Sequence, residues 1–300
     1  MKMFKIIILI LLYQSSAAQE TIIKSNYSIR DFFKKDNEIT YIEKRMVFTK
    51  TVNSFRDYFI GGYGLEIYDN SEKDEIISVS NELLRPVCSV RFYNKPTDSV
   101  QEVYYYIKAR ALDAFLAKEA ESMILSLENK KILVVDYSKK PEFIVTHNIQ
   151  LNAMSRRVFL NQNVLYFCTD LGDVFSYNLT SKEQKKIVSV KKIITDLVKF
   201  DESIVFTTID GEIIKFNLKD KTTKKIKLSN NFALNSILYQ QNKLIFGTFK
   251  GSIIVVNTDN MTIDKELKYH RRSVLKILNF KDNEFYSSSI DHTLKKWQLN

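Results

Sequence analysis

His270, Ser287, Ser289 and Asp291 stand close together near the end of the chain, and their types are those of a hydrolytic relay. In such a relay a carboxylate orients an imidazole, which in turn takes the proton of an attacking hydroxyl. The same side chains can also make a closed polar chain that does no chemistry, and Trp297, six residues after Asp291, adds an indole N–H donor to the set. Metal chemistry has less to draw on. The three histidines, His147, His270 and His292, are widely spaced, and no second ligand pair at zinc spacing supports them, so no metal and no cofactor is expected. Gly61-Gly-Tyr-Gly64 lacks the helix and lysine that phosphate cradling needs, and fits a strand–turn–strand passage better.

The elements that must position these residues recur with a period. Lys130–Asp136, Gly172–Asn178, Gly211–Asn217, Gly251–Asn257 and His292–Gln298 align as apolar strands, and their first residues are 42, 39, 40 and 41 positions apart. A period near 40 that holds four times running marks a repeat architecture. The unit from Lys191 to Leu228 shows its grammar. Ile193 to Phe200 alternates, Asp201-Glu-Ser turns, Ile204 to Thr208 is a second strand, Asp210-Gly211 a tight turn, Ile213 to Leu218 a third strand and Lys225 to Leu228 an outer fourth. Four short antiparallel strands in about 40 residues make one blade of an all-β propeller. An earlier unit is read at Tyr58 to Asp69, with Glu75 to Val79 as its outer strand. The surplus residues Asn81 to Arg110 are then either a compressed blade or an inserted hairpin, which leaves seven blades or six. Thr21 to Ile29 is expected to supply the outer strand that the last unit lacks.

The final unit resembles a WD40 repeat. His270, the apolar pair Val274 and Ile277, the Ser-x-Ser-x-Asp run ending at Asp291, and Trp297 all stand where that family has them. The resemblance implies that His270, Ser287 or Ser289, Asp291 and Trp297 form a structural hydrogen-bonded tetrad rather than a hydrolytic relay. Other units depart from it, with Phe216, Tyr177, Val256 and Val135 at the tryptophan position, so apolar packing must hold those blades. In this family the loops before each first strand often bind partners. Arg110, Lys191, Lys192, Arg271 and Arg272 fall in those loops, and form a candidate basic rim for a protein or an acidic peptide.

Compartment and charge complete the picture. Met1-Lys-Met-Phe-Lys5, the apolar run Ile6–Leu12 and the small residues Ser16 and Ala18 describe a secretory signal peptide over residues 1–18, leaving a propeller domain at 19–300 and a secreted or periplasmic protein. The apolar run is short of the roughly 18 to 20 residues that span a bilayer, so no stable membrane insertion is expected. The net charge of +10 invites a nucleic-acid reading, but lysines scattered along strands are more simply a solvated face, and no nucleic-acid partner is expected. Cys88 and Cys168 could pair after export, yet both sit in apolar strand-like runs of different repeats, where a free thiol packs as a small hydrophobe. The expected function is a non-catalytic interaction module or scaffold. The alternative is a hydrolase- or lyase-type enzyme, or a small-ligand binder, that uses the central channel.

Overall fold

A strand pattern repeated every 40 residues can bury both of its faces only by stacking against copies of itself. The computed structural model, which describes residues 18–299 except 52–54, 61, 95–102, 119, 230, 241 and 282, places the described repeats in seven antiparallel sheets of four strands each. Blades 1 to 6 occupy residues 29–59, 63–107, 111–150, 155–189, 194–227 and 233–268, and blade 7 spans 274–298. The innermost strands are Ile29–Lys35, Tyr63–Asn70, Ala111–Ala117, Ser155–Asn161, Ile194–Phe200, Ala233–Gln240 and Val274–Lys281. Each touches the next, and the last touches the first, so the sheets form a closed seven-bladed β-propeller.

The core follows the boundaries rather than the blades. Seven apolar clusters occur among the described residues, one between each pair of adjacent blades. Between blades 4 and 5, for example, Cys168 and Val174 meet Ile194, Ile204 and Phe206. Between blades 6 and 7, Ile245 and Val255 meet Val274, Phe285 and Trp297. The outer strands of blades 4 to 6, Gln184–Ser189, Thr223–Lys227 and Thr262–Lys268, are polar instead. Lys224, Lys225 and Lys227 on Thr223–Lys227 are exposed, which blocks further strand addition at that edge.

Closure joins the two ends of the described chain. Ala18–Lys24 pairs antiparallel with Thr293–Gln298 as the fourth strand of blade 7, and Ile23 packs with Leu294 and Tyr286 against blade 1. The expected closing strand is therefore correct in role but too long. Ile29 already opens the innermost strand of blade 1, because Ser25 to Ser28 turn the chain inward.

Blade 2 corrects the sequence reading. Tyr58–Asp69 is not one unit: Phe55–Phe59 is the outer strand of blade 1 and Tyr63–Asn70 the innermost strand of blade 2. Glu75–Asn81 is its second strand and not an outer one, and Cys88–Asn94 and Val103–Ile107 complete the sheet. Aligned correctly, Tyr93 corresponds to Val135, 42 positions later, and no surplus remains. The misreading has a local cause. Blade 2 has no glycine in the turn between its second and third strands, while Gly62 sits in the passage between blades 1 and 2 and imitates one. Cys88 and Cys168 are both free and buried, in blades 2 and 4. Burial pushes the Cys88 thiol up to about 12.

Replacing Ile23 by Ala should lower stability by about 2–5 kcal/mol, the usual cost of truncating a buried branched side chain. Deleting residues 18–24 should cost more and leave Thr293–Gln298 as an unpaired edge open to aggregation. Thermal unfolding followed by light scattering checks both, and an unchanged midpoint for either variant would remove the closing role.

Candidate functional site

The four candidate relay residues meet in blade 7, and their geometry decides what they do. The Trp297 indole donates to Ser287 Oγ at 2.7 Å. Ser287 Oγ lies 2.7 Å from His270 Nε2, and His270 Nδ1 lies 3.0 Å from Asp291 Oδ2. Asp291 also accepts from the Arg271 backbone N–H at 2.8 Å and from Thr293. Burial holds the His270 imidazole below its usual pKa despite the neighbouring Asp291 carboxylate, so the ring is neutral. Proton donation then runs one way: indole to hydroxyl, hydroxyl to Nε2, Nδ1–H to carboxylate. Each member satisfies the next, as buried polar groups require. Ser287 is 0% exposed, and its oxygen is already engaged by the indole, so it has no path to a substrate. Ser289 is not in the chain. Its hydroxyl donates to the Arg272 carbonyl at 2.9 Å and accepts the Asp291 N–H at 3.0 Å, which fixes the turn instead.

The basic rim residues lie in the passages between blades: Arg110 before blade 3, Lys191 and Lys192 before blade 5, Arg271 and Arg272 before blade 7. Those passages share one face of the ring with the turns between second and third strands. Backbone hydrogen bonds from Glu128, Asp170, Ile209, Phe249 and Ile290 N–H to the passage carbonyls, at 2.9–3.0 Å, tie turn to passage in blades 3 to 7. Glycine makes this approach possible. At Gly211, where φ is +88°, a Cβ would lie 2.2 Å from the Asn231 carbonyl oxygen.

The five residues are not equivalent. Lys191, Arg271 and Arg272 are exposed. Lys192 reaches Asp210 at 2.8 Å and Glu212 at 2.9 Å, and hydrogen bonds to these two carboxylates raise its pKa. Its charge is largely answered within the protein. Arg110 donates through Nη2 to the Leu83 carbonyl at 3.2 Å and so braces a loop of blade 2. The connections on this face carry eleven Lys and Arg against five Asp and Glu, whereas the described connections of the opposite face carry seven against ten.

A second group of charges escaped the sequence reading. In the described pairings the register slips near the start of every innermost strand, and a bulge re-aims the following side chain. In six blades that residue is charged: Asp31, Glu66, Asp113, Arg157, Asp196 and Lys276. Five of the six, all but Asp31, border a cavity of about 140 Å³ among the innermost strands. Lys276 of blade 7 reaches Asp31 of blade 1 at 3.2 Å and Glu66 of blade 2 at 2.8 Å. Arg157 of blade 4 contacts Asp113 of blade 3 and, at 3.1 Å, Asp196 of blade 5. Asp31, Asp113 and Asp196 each accept a backbone N–H from the next blade, those of Ile67, Val158 and Ile237, at 2.8, 2.8 and 3.0 Å. The signal was present: a charged residue stands at the third or fourth position of six of the seven innermost strands.

Four carboxylates and two cations cannot all be ionised cheaply when the carboxylates are this deeply buried. Burial, then the Glu66 carboxylate, pushes Asp31 up to about 7 against the pull of Lys276. Burial likewise carries Asp113 to about 6 and raises Asp196. Glu66 stays below the usual range although burial opposes its charge, because Lys276 and a hydrogen bond from Asp31 favour the anion. Burial and the Glu66 carboxylate thus favour the neutral form of Asp31, and Lys276 favours the charged form of Glu66. No group of three or more His, Cys, Asp and Glu residues that could hold a metal ion occurs among the described residues.

No family model matches the chain, and no curated protein matches it. Solved structures do. The crystal structure of the WD40 β-propeller domain of Doa1 superposes with a TM-score of 0.75 at 11% identity, covering 95% of this chain and 98% of that one. The computationally designed protein Ika8 superposes with a TM-score of 0.65 at 13% identity, covering 94% of this chain and all of that one. At these identities the likeness is one of fold, and the fold is a WD40-like propeller.

Trp297→Ala should cost about 3–5 kcal/mol, since it removes a fully buried indole and strips Ser287 of its donor. Urea unfolding measures this, and a loss under about 1 kcal/mol would show that the chain of hydrogen bonds does not hold blade 7. Asp31→Asn tests the axial pair through pH. The folded protein keeps the Asp31 proton up to about pH 7, while the unfolded chain releases it near 3.8, so this group's contribution is present at acid pH and is lost as pH rises through 7. The asparagine variant, which can still accept the Ile67 N–H, should show a flatter stability profile between pH 4 and 7. An unaltered slope would mean that Asp31 does not carry the proton.

Proposed function

We propose that the protein is an exported, non-catalytic interaction module that holds an acidic protein or peptide partner on one face of its propeller. The observation that supports it most is the charge asymmetry between the two faces, with the excess of Lys and Arg on the face of Arg110, Lys191, Arg271 and Arg272. Complementary charge raises association rates and fixes orientation more than it adds affinity, which suits a docking surface. The groups with chemical potential are engaged elsewhere. His270, Ser287 and Asp291 are locked into blade 7, and the axial carboxylates answer Arg157, Lys276 and backbone N–H groups. Export to the periplasm or the medium rests on residues 1–18, of which 1–17 lie outside the described residues. No described helix is long and apolar enough to cross a membrane.

Affinity capture from the envelope or culture fluid tests this, with the triple variant Lys191→Glu, Arg271→Glu, Arg272→Glu as control. Lys192 is left in place because a glutamate there would face Asp210 and Glu212. A partner should bind the wild type, weaken by at least about tenfold in the variant, and weaken further with added salt. Equal capture by both proteins would sink the basic face. The exported protein, sequenced from its N-terminus, should begin at Gln19, and a chain still carrying Met1 would rule out cleavage.

A further inference from the structure

Blade 2 departs from the other blades at one place on the basic face. Its second and third strands are joined by six residues, 82–87, where blade 1 uses two and blades 3 to 7 use three. The longer loop is not slack. Glu82 N–H donates to the Val87 carbonyl and Val87 N–H to the Arg85 carbonyl, both at 2.9 Å. Its base presses on the preceding passage so closely that a Cβ at Gly62 would lie 2.5 Å from the Asn81 carbonyl oxygen. Arg110 holds its crest from blade 3 through the Leu83 carbonyl.

This braced loop presents Leu83 and Leu84 to solvent, 65% and 91% exposed. A large apolar side chain held out by a fixed backbone gains nothing for the fold and marks a contact surface. Below it lies a pocket of about 380 Å³ bordered by Arg45, Gly62, Tyr63, Glu82, Leu84 and Arg85. That volume falls in the range of small-ligand pockets, about 300–1,000 Å³, and admits an aromatic or branched side chain. The Arg45 guanidinium stands 5.1 Å above the half-exposed Phe59 ring, which keeps it beside the pocket.

We propose that this pocket receives one bulky apolar side chain from an acidic segment of the partner protein, whose flanking carboxylates meet Arg45 and Arg85. The inference rests on the basic face as the docking side and adds to it a location and a partner chemistry. Charge decides for an acidic segment: arginines flank the pocket on a face with an excess of cations. Concavity decides against a lipid bilayer, which would cover a protruding leucine but has no discrete group to fill a pocket. Glu82 on the rim can accept N–H groups of a peptide backbone, which a bilayer does not offer.

The test is selection of random dodecapeptides displayed on phage against the full-length protein, followed by fluorescence anisotropy with the selected peptides. Selected sequences should carry Asp and Glu around a single large apolar residue. Their binding should weaken about tenfold or more in the Leu83→Ser, Leu84→Ser double variant and in Arg85→Glu. All three side chains sit on a surface loop, so the thermal midpoint should not move, which separates lost binding from lost folding. Peptides that ignore these changes but are lost in the Lys191, Arg271, Arg272 triple variant would overturn the pocket and leave the basic face standing. Peptides insensitive to both sets, or without acidic enrichment, would overturn the pocket as well. So would sedimentation with phosphatidylglycerol vesicles that the leucine changes abolish, because the loop would then be a bilayer contact.

Discussion

No blade of this propeller can exist alone, and everything else in the molecule follows from that. A four-stranded sheet of this composition has two apolar faces, and the seven apolar clusters lie between blades rather than within them. Stability therefore depends on the ring being shut. The pairing of Ala18–Lys24 with Thr293–Gln298 shuts it with backbone hydrogen bonds, and Ile23 adds its side chain to the last apolar cluster. The tetrad of Trp297, Ser287, His270 and Asp291 stands in this same closing blade, where a unique arrangement matters most.

The axis carries the opposite problem. Seven innermost strands converge there, and apolar side chains alone would leave the converging edges without polar partners for their bulged backbone. Asp31, Asp113 and Asp196 supply acceptors to the next blade, and Lys276 and Arg157 each span two blades. A buried ion pair is weak evidence of net stability, because desolvation offsets the attraction. Its better-supported effect here is geometric: each link specifies which blade follows which and at what height. That rigidity lets loops on one face vary without loss of the ring, as the six-residue loop of blade 2 shows.

Much of this was legible in the sequence. The 40-residue spacing from Lys130 to Gln298 located five third strands, because apolar alternation recurs there and a glycine ends three of the five turns, at Gly172, Gly211 and Gly251. His270, Ser287, Asp291 and Trp297 were found because their spacing is fixed by one blade. Phase failed where punctuation failed: at blade 2 Gly62 lies between blades, and a strand pattern with period two looks the same one strand early. The axial charges were missed for a different reason. Asp31 and Lys276 are adjacent only because the ring closes, and a local window over either strand does not contain its partner. The pairing of Lys192 with Asp210 and Glu212 was hidden likewise, since three residues that share one face count as separate surface charges until the turn folds over.

The closing strand also sets an order of events. Gln19 faces Trp297 across the sheet, so the two halves of that pair are separated by 278 positions of chain. The N-terminal strand is synthesised first and must wait for the C-terminal one, with blades already stacked but the ring open. During that interval Thr293–Gln298 has no outer neighbour, and the facing apolar surfaces of blades 1 and 7 meet water. Such an intermediate folds slowly, because its decisive contact is the most distant in sequence. It is also the stage at which two incomplete rings could trade their end strands and emerge as an entwined dimer.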